Sequence, residues 1–269
     1  MGEERDSPLS LQLLFPGKVR LNINTLTSAL VGFHPSLAGV EFRLEARASE
    51  VMDAEVSTAR WSRHTVQGVV FNRPMPAAIV ESCVAPAHYG APLKAQARAH
   101  QSHALLFYKG EEKDPLEQYV ALGLVAVALA TEGALVVLNE SAHTSFPAQP
   151  LVPGPGEDVL ELLRTMPLTA LYVGFVKLEV EGVGGVWMRT YGASRMGLPD
   201  LAWHARSHEE AREAFELFSG LLEYLRSTGA RFMDGHTAEW EGRQVRIRKP
   251  GSEETFLDAS GELFVLEPR

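Results

Sequence analysis

Between Tyr119 and Ala130 the chain reads YVALGLVAVALA, a run with no charged residue and a single hydroxyl. This run constrains the fold more than any motif does. It falls short of the roughly 20 apolar residues that span a bilayer, and a helix apolar all round has to be covered on every side. Its ends carry helix signals. Asp114-Pro115-Leu116-Glu117 places a capping carboxylate, a proline at the first helical position and a glutamate in the first turn. Thr131-Glu132-Gly133 follows the run with a glycine suited to a left-handed C-terminal cap. The sequence therefore predicts a buried helix from Pro115 to Thr131.

The same plan recurs further along. "YVALGLVAVALATEGALVVLNE" from Tyr119 and "FELFSGLLEYLRSTGARFMDGH" from Phe215 align without a gap at an offset of 96, which is 215 minus 119. Each is an apolar helical run, a Gly-Ala pair and a short apolar stretch that reads as a strand. Ser207-His208-Glu209-Glu210 opens the second helix as a capping box. Two strand candidates precede each helix: "QGVVFNRPMP" and "HALLFYKG" in the first half, "GGVWMRTYG" and "DLAWHAR" in the second. The reading is an internal duplication of a β-β-α-β unit.

"LSLQLLFP" and "VEFRLEAR" add strands to the first half, "NINTLTSALVGF" adds a short helix, and Ala77 to Gln101 reads as a part-helical insertion. In the second half, Glu157 to Arg164 reads as a short helix. "ALYVGFVKLEVE" reads as a strand, and "RQVRIRK", "ETFLDAS" and "LFVLEPR" as a terminal meander. The expected class is α+β, as two tandem modules of antiparallel sheet, each with its helices packed on one face; the first half runs βαββαβ, the ferredoxin-like order. The expected division is residues 1–148, a Pro/Gly-rich linker at 149–158, and residues 159–269.

Gly197-Leu198-Pro199-Asp200-Leu201, followed after the helix by Met233-Asp234-Gly235-His236-Thr237, resembles the C-terminal module of the uncharacterised bacterial family called domain of unknown function 4261. "FNRPMPAAIVE" and "AHQSHALLFYKG" resemble its N-terminal portion more loosely, so the likeness spans about residues 66 to 245. Ala202 departs from the acidic residue common in that family, and Trp240 from the small residues usual there. The resemblance implies a bacterial cytosolic protein and carries no functional residue.

Composition narrows the function. A net charge of -9 and a pI of about 5.5 oppose a nucleic-acid partner, whose affinity comes from cations displacing counterions. The alternating Arg243-Gln244-Val245-Arg246-Ile247-Arg248-Lys249 reads as an exposed strand face. One cysteine, Cys83, precludes a disulfide framework, and it reads as a buried small hydrophobe. The charged N-terminus has no secretory apolar core, so a cytoplasmic protein is expected, with no membrane partner. "VEGVGGVW" leads into a strand and lacks the dinucleotide-binding spacing, and no Walker lysine, G-x-S-x-G or H-E-x-x-H occurs. No cofactor is expected.

Candidate sites are correspondingly few. Asp234-Gly235-His236 is a turn signal, and it carries a base, His236, and an orienting carboxylate, Asp234, that the first half lacks at Leu138-Asn139-Glu140. His100 and His103, with His88 upstream, have spacing that zinc sites use, without a carboxylate between Ser82 and Phe107 to complete a ligand set. His204 and His208 straddle the helix cap. Trp187, Tyr191, Trp203 and Trp240 form an aromatic set suited either to a core or to an interface. The expectation is a non-catalytic cytosolic protein-binding module, an adaptor or neutraliser that takes a partner protein of basic character through Trp187, Tyr191, Trp203, Asp234, His236 and Trp240. The alternative is a hydrolase or metal-dependent enzyme with its site between the modules. Oligomeric state is left open.

Overall fold

A computed structural model describes residues 7–46, 54–154, 156–240 and 242–268. The class is α+β, in two compact units. The first holds residues 7–140 and 144–166, the second residues 141–143 and 167–268. The expected 149–158 linker does not divide them. Within it Gln149–Leu151 forms a 3-10 turn, and the helix that follows packs inside the first unit. Among the described residues no helix is long and apolar enough to cross a membrane.

In the first unit, β1 (Ser10–Phe15), β2 (Glu41–Ala46), β3 (Ala54–Trp61), β4 (His64–Phe71), β5 (Ser102–Tyr108), β6 (Val136–Asn139) and β7 (Thr144–Pro147) form one sheet in the order β2-β3-β4-β5-β1-β6-β7. All of its pairings are antiparallel. The ferredoxin-like βαββαβ order is not confirmed. Ala54–Trp61, whose Ser-Thr-rich pattern hides its strand character, joins β2 and β4 as a meander, and β7 extends the sheet past β6.

The helices are α1 (Ile23–Phe33), α2 (Ala77–Val84), α3 (Ala91–Arg98), α4 (Pro115–Ala130) and α5 (Val159–Thr165). Every residue of α4 from Tyr119 to Ala130 is buried. It lies against β1, β4 and β5, and also against α1 and α5, which explains why no face of it is polar. Asp114 caps it as expected, accepting from the Leu116 amide at 2.9 Å. The Ala77–Arg98 insertion is part of the scaffold: Val80, Cys83, Val84 and Ala97 pack on Leu14, Val136 and Leu138.

The second unit carries α6 (Leu168–Leu171), α7 (Ala211–Thr228) and β8 (Gly174–Leu178), β9 (Val186–Tyr191), β10 (Asp200–Ala205), β11 (Thr237–Trp240), β12 (Arg243–Arg248) and β13 (Leu263–Pro268), with sheet order β11-β12-β13-β10-β9-β8. α7 is amphipathic, burying Ala214, Leu217, Phe218, Leu221, Leu222 and Leu225. It ends at Gly229, whose φ of 69° is the left-handed cap. β4 and β5, with α2 and α3 between them, precede α4, and β9 and β10, joined without an α-helix, precede α7. Beyond the helix the halves diverge. After Gly133 the chain enters β6, whereas Ala230–Met233 forms no strand, and the next strand, β11, lies at the sheet edge. The terminal meander is also revised. Thr255–Leu257 is a 3-10 turn, and β13 inserts between β12 and β10, parallel to β10.

Candidate functional site: a groove beside the Asp234 turn

Asp234-Gly235-His236 is a joint that holds the segment to β12. Gly235 has φ +85°, a conformation side chains with a Cβ resist. Its amide donates to the Ile247 carbonyl at 2.9 Å, and the Ile247 amide donates to the His236 carbonyl at 2.8 Å. Asp234 Oδ1 accepts from the Lys249 amide at 3.0 Å, and His236 Nδ1 accepts from the Met233 amide at 3.3 Å. The two residues proposed as orienter and base are thus each engaged with a main-chain amide rather than with one another.

The joint delivers β11 against α7. Trp240 lays its ring on Gly220: a Cβ built there would stand 2.5 Å from Cζ3 and 2.7 Å from Cη2 of the indole. A glycine in the middle of a helix costs about 1 kcal/mol relative to alanine. Here it provides the seat for a ring. Around that contact a groove of about 560 Å³ opens, walled by Leu221 and Tyr224 of α7, Phe232 and His236 of the joint, and Ala238 and Ile247 of the sheet. Tyr224 is 53% exposed and Met233, beside the joint, 61% exposed. Glu239 and Arg231 are the charged groups at its wall.

The other predicted aromatics belong elsewhere. Trp187 and Trp203 are 4% and 6% exposed, so neither presents a surface to a partner. Trp187 packs with Leu257, Leu263 and Val265, and stacks on His204 with ring centres 4.7 Å apart. The 249–262 segment, read as meander, supplies its cover. Tyr191 is half-buried beneath the Arg189 guanidinium, 3.8 Å from the ring centre, with His143 at its edge.

The histidine pair considered for zinc is held inside the first unit by the main chain. His100 Nε2 accepts from the Met75 amide at 2.7 Å, and Nδ1 donates to the Ala97 carbonyl at 2.8 Å. His103 Nδ1 donates to the Arg73 carbonyl at 2.8 Å, and its ring stacks on Phe71. Burial lowers both imidazole pKa values, keeping them neutral. With both nitrogens of His100 bonded, it offers no lone pair to a metal. Cys83 is buried in the α2 layer, where desolvation pushes its thiol up to about 11. An inert thiol is the result. His204 Nε2 meets the Gly184 carbonyl at 2.7 Å, and His208 pairs with Glu179 at 2.8 Å.

Sequence reasoning passed over two buried ionisable residues, Arg189 and Asp200. Arg189 is fully buried; Nη1 donates to the Asp258 carbonyl at 2.9 Å and Nε to the Thr190 carbonyl at 3.2 Å, while Nη2 has no hydrogen-bond partner among the described residues. Asp200, 1% exposed, accepts from Thr190 Oγ1 at 3.0 Å and from the Ala193 amide at 3.2 Å. Burial pushes its carboxyl up to about 6, against the pull of the Ala193 amide, Arg189 and Thr190. The available signal was an arginine at alternate strand positions with Trp187 and Tyr191, on one face. Also missed was His64 in the first unit, stacked on Trp61 at 5.4 Å beside a cavity of about 150 Å³. Desolvation lowers its imidazole pKa.

No family model, curated protein or solved structure matches this chain. The geometry alone carries the functional reading.

Proposed function

We propose that this chain is a non-catalytic protein-binding module that takes an apolar side chain of its partner into the groove between α7 and β11. The observation that supports this reading is the exposed Tyr224 lining, with Trp240, a groove in which the helix gives up a side chain at Gly220 to seat the Trp240 ring. Half-exposed aromatic rings at the rim of a preformed apolar recess are what interface anchors use. His236 lines the groove and Asp234 anchors the joint beside it, with Asp234 Oδ1 and His236 Nδ1 each accepting from a main-chain amide. The net charge of -9 supports a basic protein partner in place of nucleic acid. Kinship with domain of unknown function 4261 is part of the same proposal and supplies no catalytic group.

The test is affinity purification from the source organism with wild type, Trp240→Ala and Tyr224→Ala, followed by calorimetry on any purified partner. A partner retained by wild type and weakened at least tenfold by both variants supports the groove. Equal retention by all three forms would sink it.

A further inference from the structure

β11 is the end strand of its sheet, paired with β12 on one side and with no strand among the described residues on the other. Its register shows which main-chain groups face the open side. The Ile247 amide donates to the His236 carbonyl at 2.8 Å, which makes His236 and Ile247 a bonded position of the antiparallel ladder. Bonded positions alternate, so the next are Ala238 with Val245 and Trp240 with Arg243. The N–H and C=O groups of Thr237 and Glu239 therefore point away from β12. Both residues are exposed, and among the described residues neither makes a main-chain hydrogen bond to another element.

This open edge runs along the groove, whose wall includes every residue from Thr237 to Trp240. Side chains divide by face. Ala238 and Trp240 turn toward α7, where Trp240 rests on Gly220. Thr237 and Glu239 lie on the outer face with the β12 residues across from them. Arg246, across from Thr237, is answered by Glu267 at 3.9 Å, whereas Glu239 stands across from the uncharged Gln244 and has no ion pair among the described residues. Arg231, the other charged group at the groove wall, belongs to the joint and not to β11. The strand carries neither lysine nor proline, the residues that blunt an edge against pairing.

We propose that the partner adds an extended segment antiparallel to β11, bonded to the main chain of Thr237 and Glu239, with an apolar side chain opposite Ala238 and a lysine or arginine opposite Glu239. The inference rests on the groove reading and adds to it the shape and charge of the segment that enters. The position opposite Ala238 is a non-bonded one, where facing Cα atoms approach to about 4.5 Å and side chains meet most closely. It shares the face of Trp240, so the apolar side chain enters the groove. Main-chain pairing supplies affinity, and the alternating side chains supply selection. A basic residue on the guest accords with the net charge of -9.

The probe is the blocked pentapeptide Val-Lys-Leu-Thr-Val, which sets lysine opposite Glu239 and leucine opposite Ala238, titrated into the isotope-labelled full chain. In the free protein the Thr237 and Glu239 amides exchange with solvent faster than those of Ala238 and Trp240. Titration slows them and shifts the Tyr224 and Trp240 resonances. Methylating the lysine amide nitrogen of the peptide removes the donor to the Glu239 carbonyl and weakens binding about fivefold. Glutamate in place of that lysine weakens it by a similar factor, and Glu239→Lys, at an exposed position, reverses the preference between the two peptides. The proposal is overturned if the pentapeptide does not bind, if the Thr237 and Glu239 amides are already slow in the free chain, or if neither methylation nor the charge exchange changes affinity. Trp240→Ala separates the two readings in that last case. A peptide that still depends on Trp240 removes the added strand and keeps the groove, and one that binds Trp240→Ala equally well removes both.

Discussion

Replacing Gly220 by alanine separates the helix from the groove it serves. A Cβ at this position would stand 2.5 Å from Trp240 Cζ3, about 1 Å inside the optimal carbon–carbon separation of roughly 3.5 Å. The neighbour is the far rim of a ring on a short edge strand, so the ring is displaced rather than the helix. Two energies then oppose one another. Alanine in mid-helix gains about 1 kcal/mol over glycine, and unseating a half-buried tryptophan loses about 1–2 kcal/mol of burial. Gly220→Ala should therefore unfold in urea within about 1 kcal/mol of wild type. Binding behaves differently, because the anchor has moved: affinity for a groove partner falls by about 2 kcal/mol or more, near thirtyfold. Trp240 also becomes more accessible, which fluorescence quenching reads against a background of the better-buried Trp61, Trp187 and Trp203. A variant with unchanged quenching and unchanged affinity would refute the seating of Trp240. A loss of several kcal/mol in stability would show that the helix had yielded instead.

Asp200 sets a pH dependence. Its carboxyl lies near 6 when folded against a model value of 3.8, so the folded state binds the proton more tightly; this stability is fully present below 3.8 and is lost as pH rises through about 6. The difference is worth up to about 3 kcal/mol. Asp200→Asn should flatten the fall in unfolding free energy between those values, and an unchanged slope would assign it to other groups. Gly235→Ala, at φ +85°, should cost about 1–2 kcal/mol in urea unfolding by straining the joint; a neutral result would mean that the turn relaxes freely. Because His100 has both ring nitrogens bonded, excess zinc should leave the melting temperature unchanged. A rise abolished by His100→Ala would reverse that assignment.

Part of this architecture is written locally. The α4 run is apolar on every face and bounded by Asp114 and Gly133, so its existence and burial follow from composition and capping. Gly229 ends α7 for the same kind of reason. Asp234-Gly235 announces its turn because one residue needs φ > 0 and its neighbour caps amides close by in space. The groove was legible only in half: Trp240 stood out, but the meaning of Gly220 did not, since a glycine in a helical run looks like a weak residue until a ring is seen resting on it. Trp187 and Trp203 show the other limit. Alternation tells which residues share a strand face, and it cannot tell that the 249–262 segment will cover Trp187. Tertiary structure alone decided that β13 enters the middle of the sheet beside β10, because pairing Asp200 with Leu263 joins residues far apart in the chain and leaves no periodic trace in either.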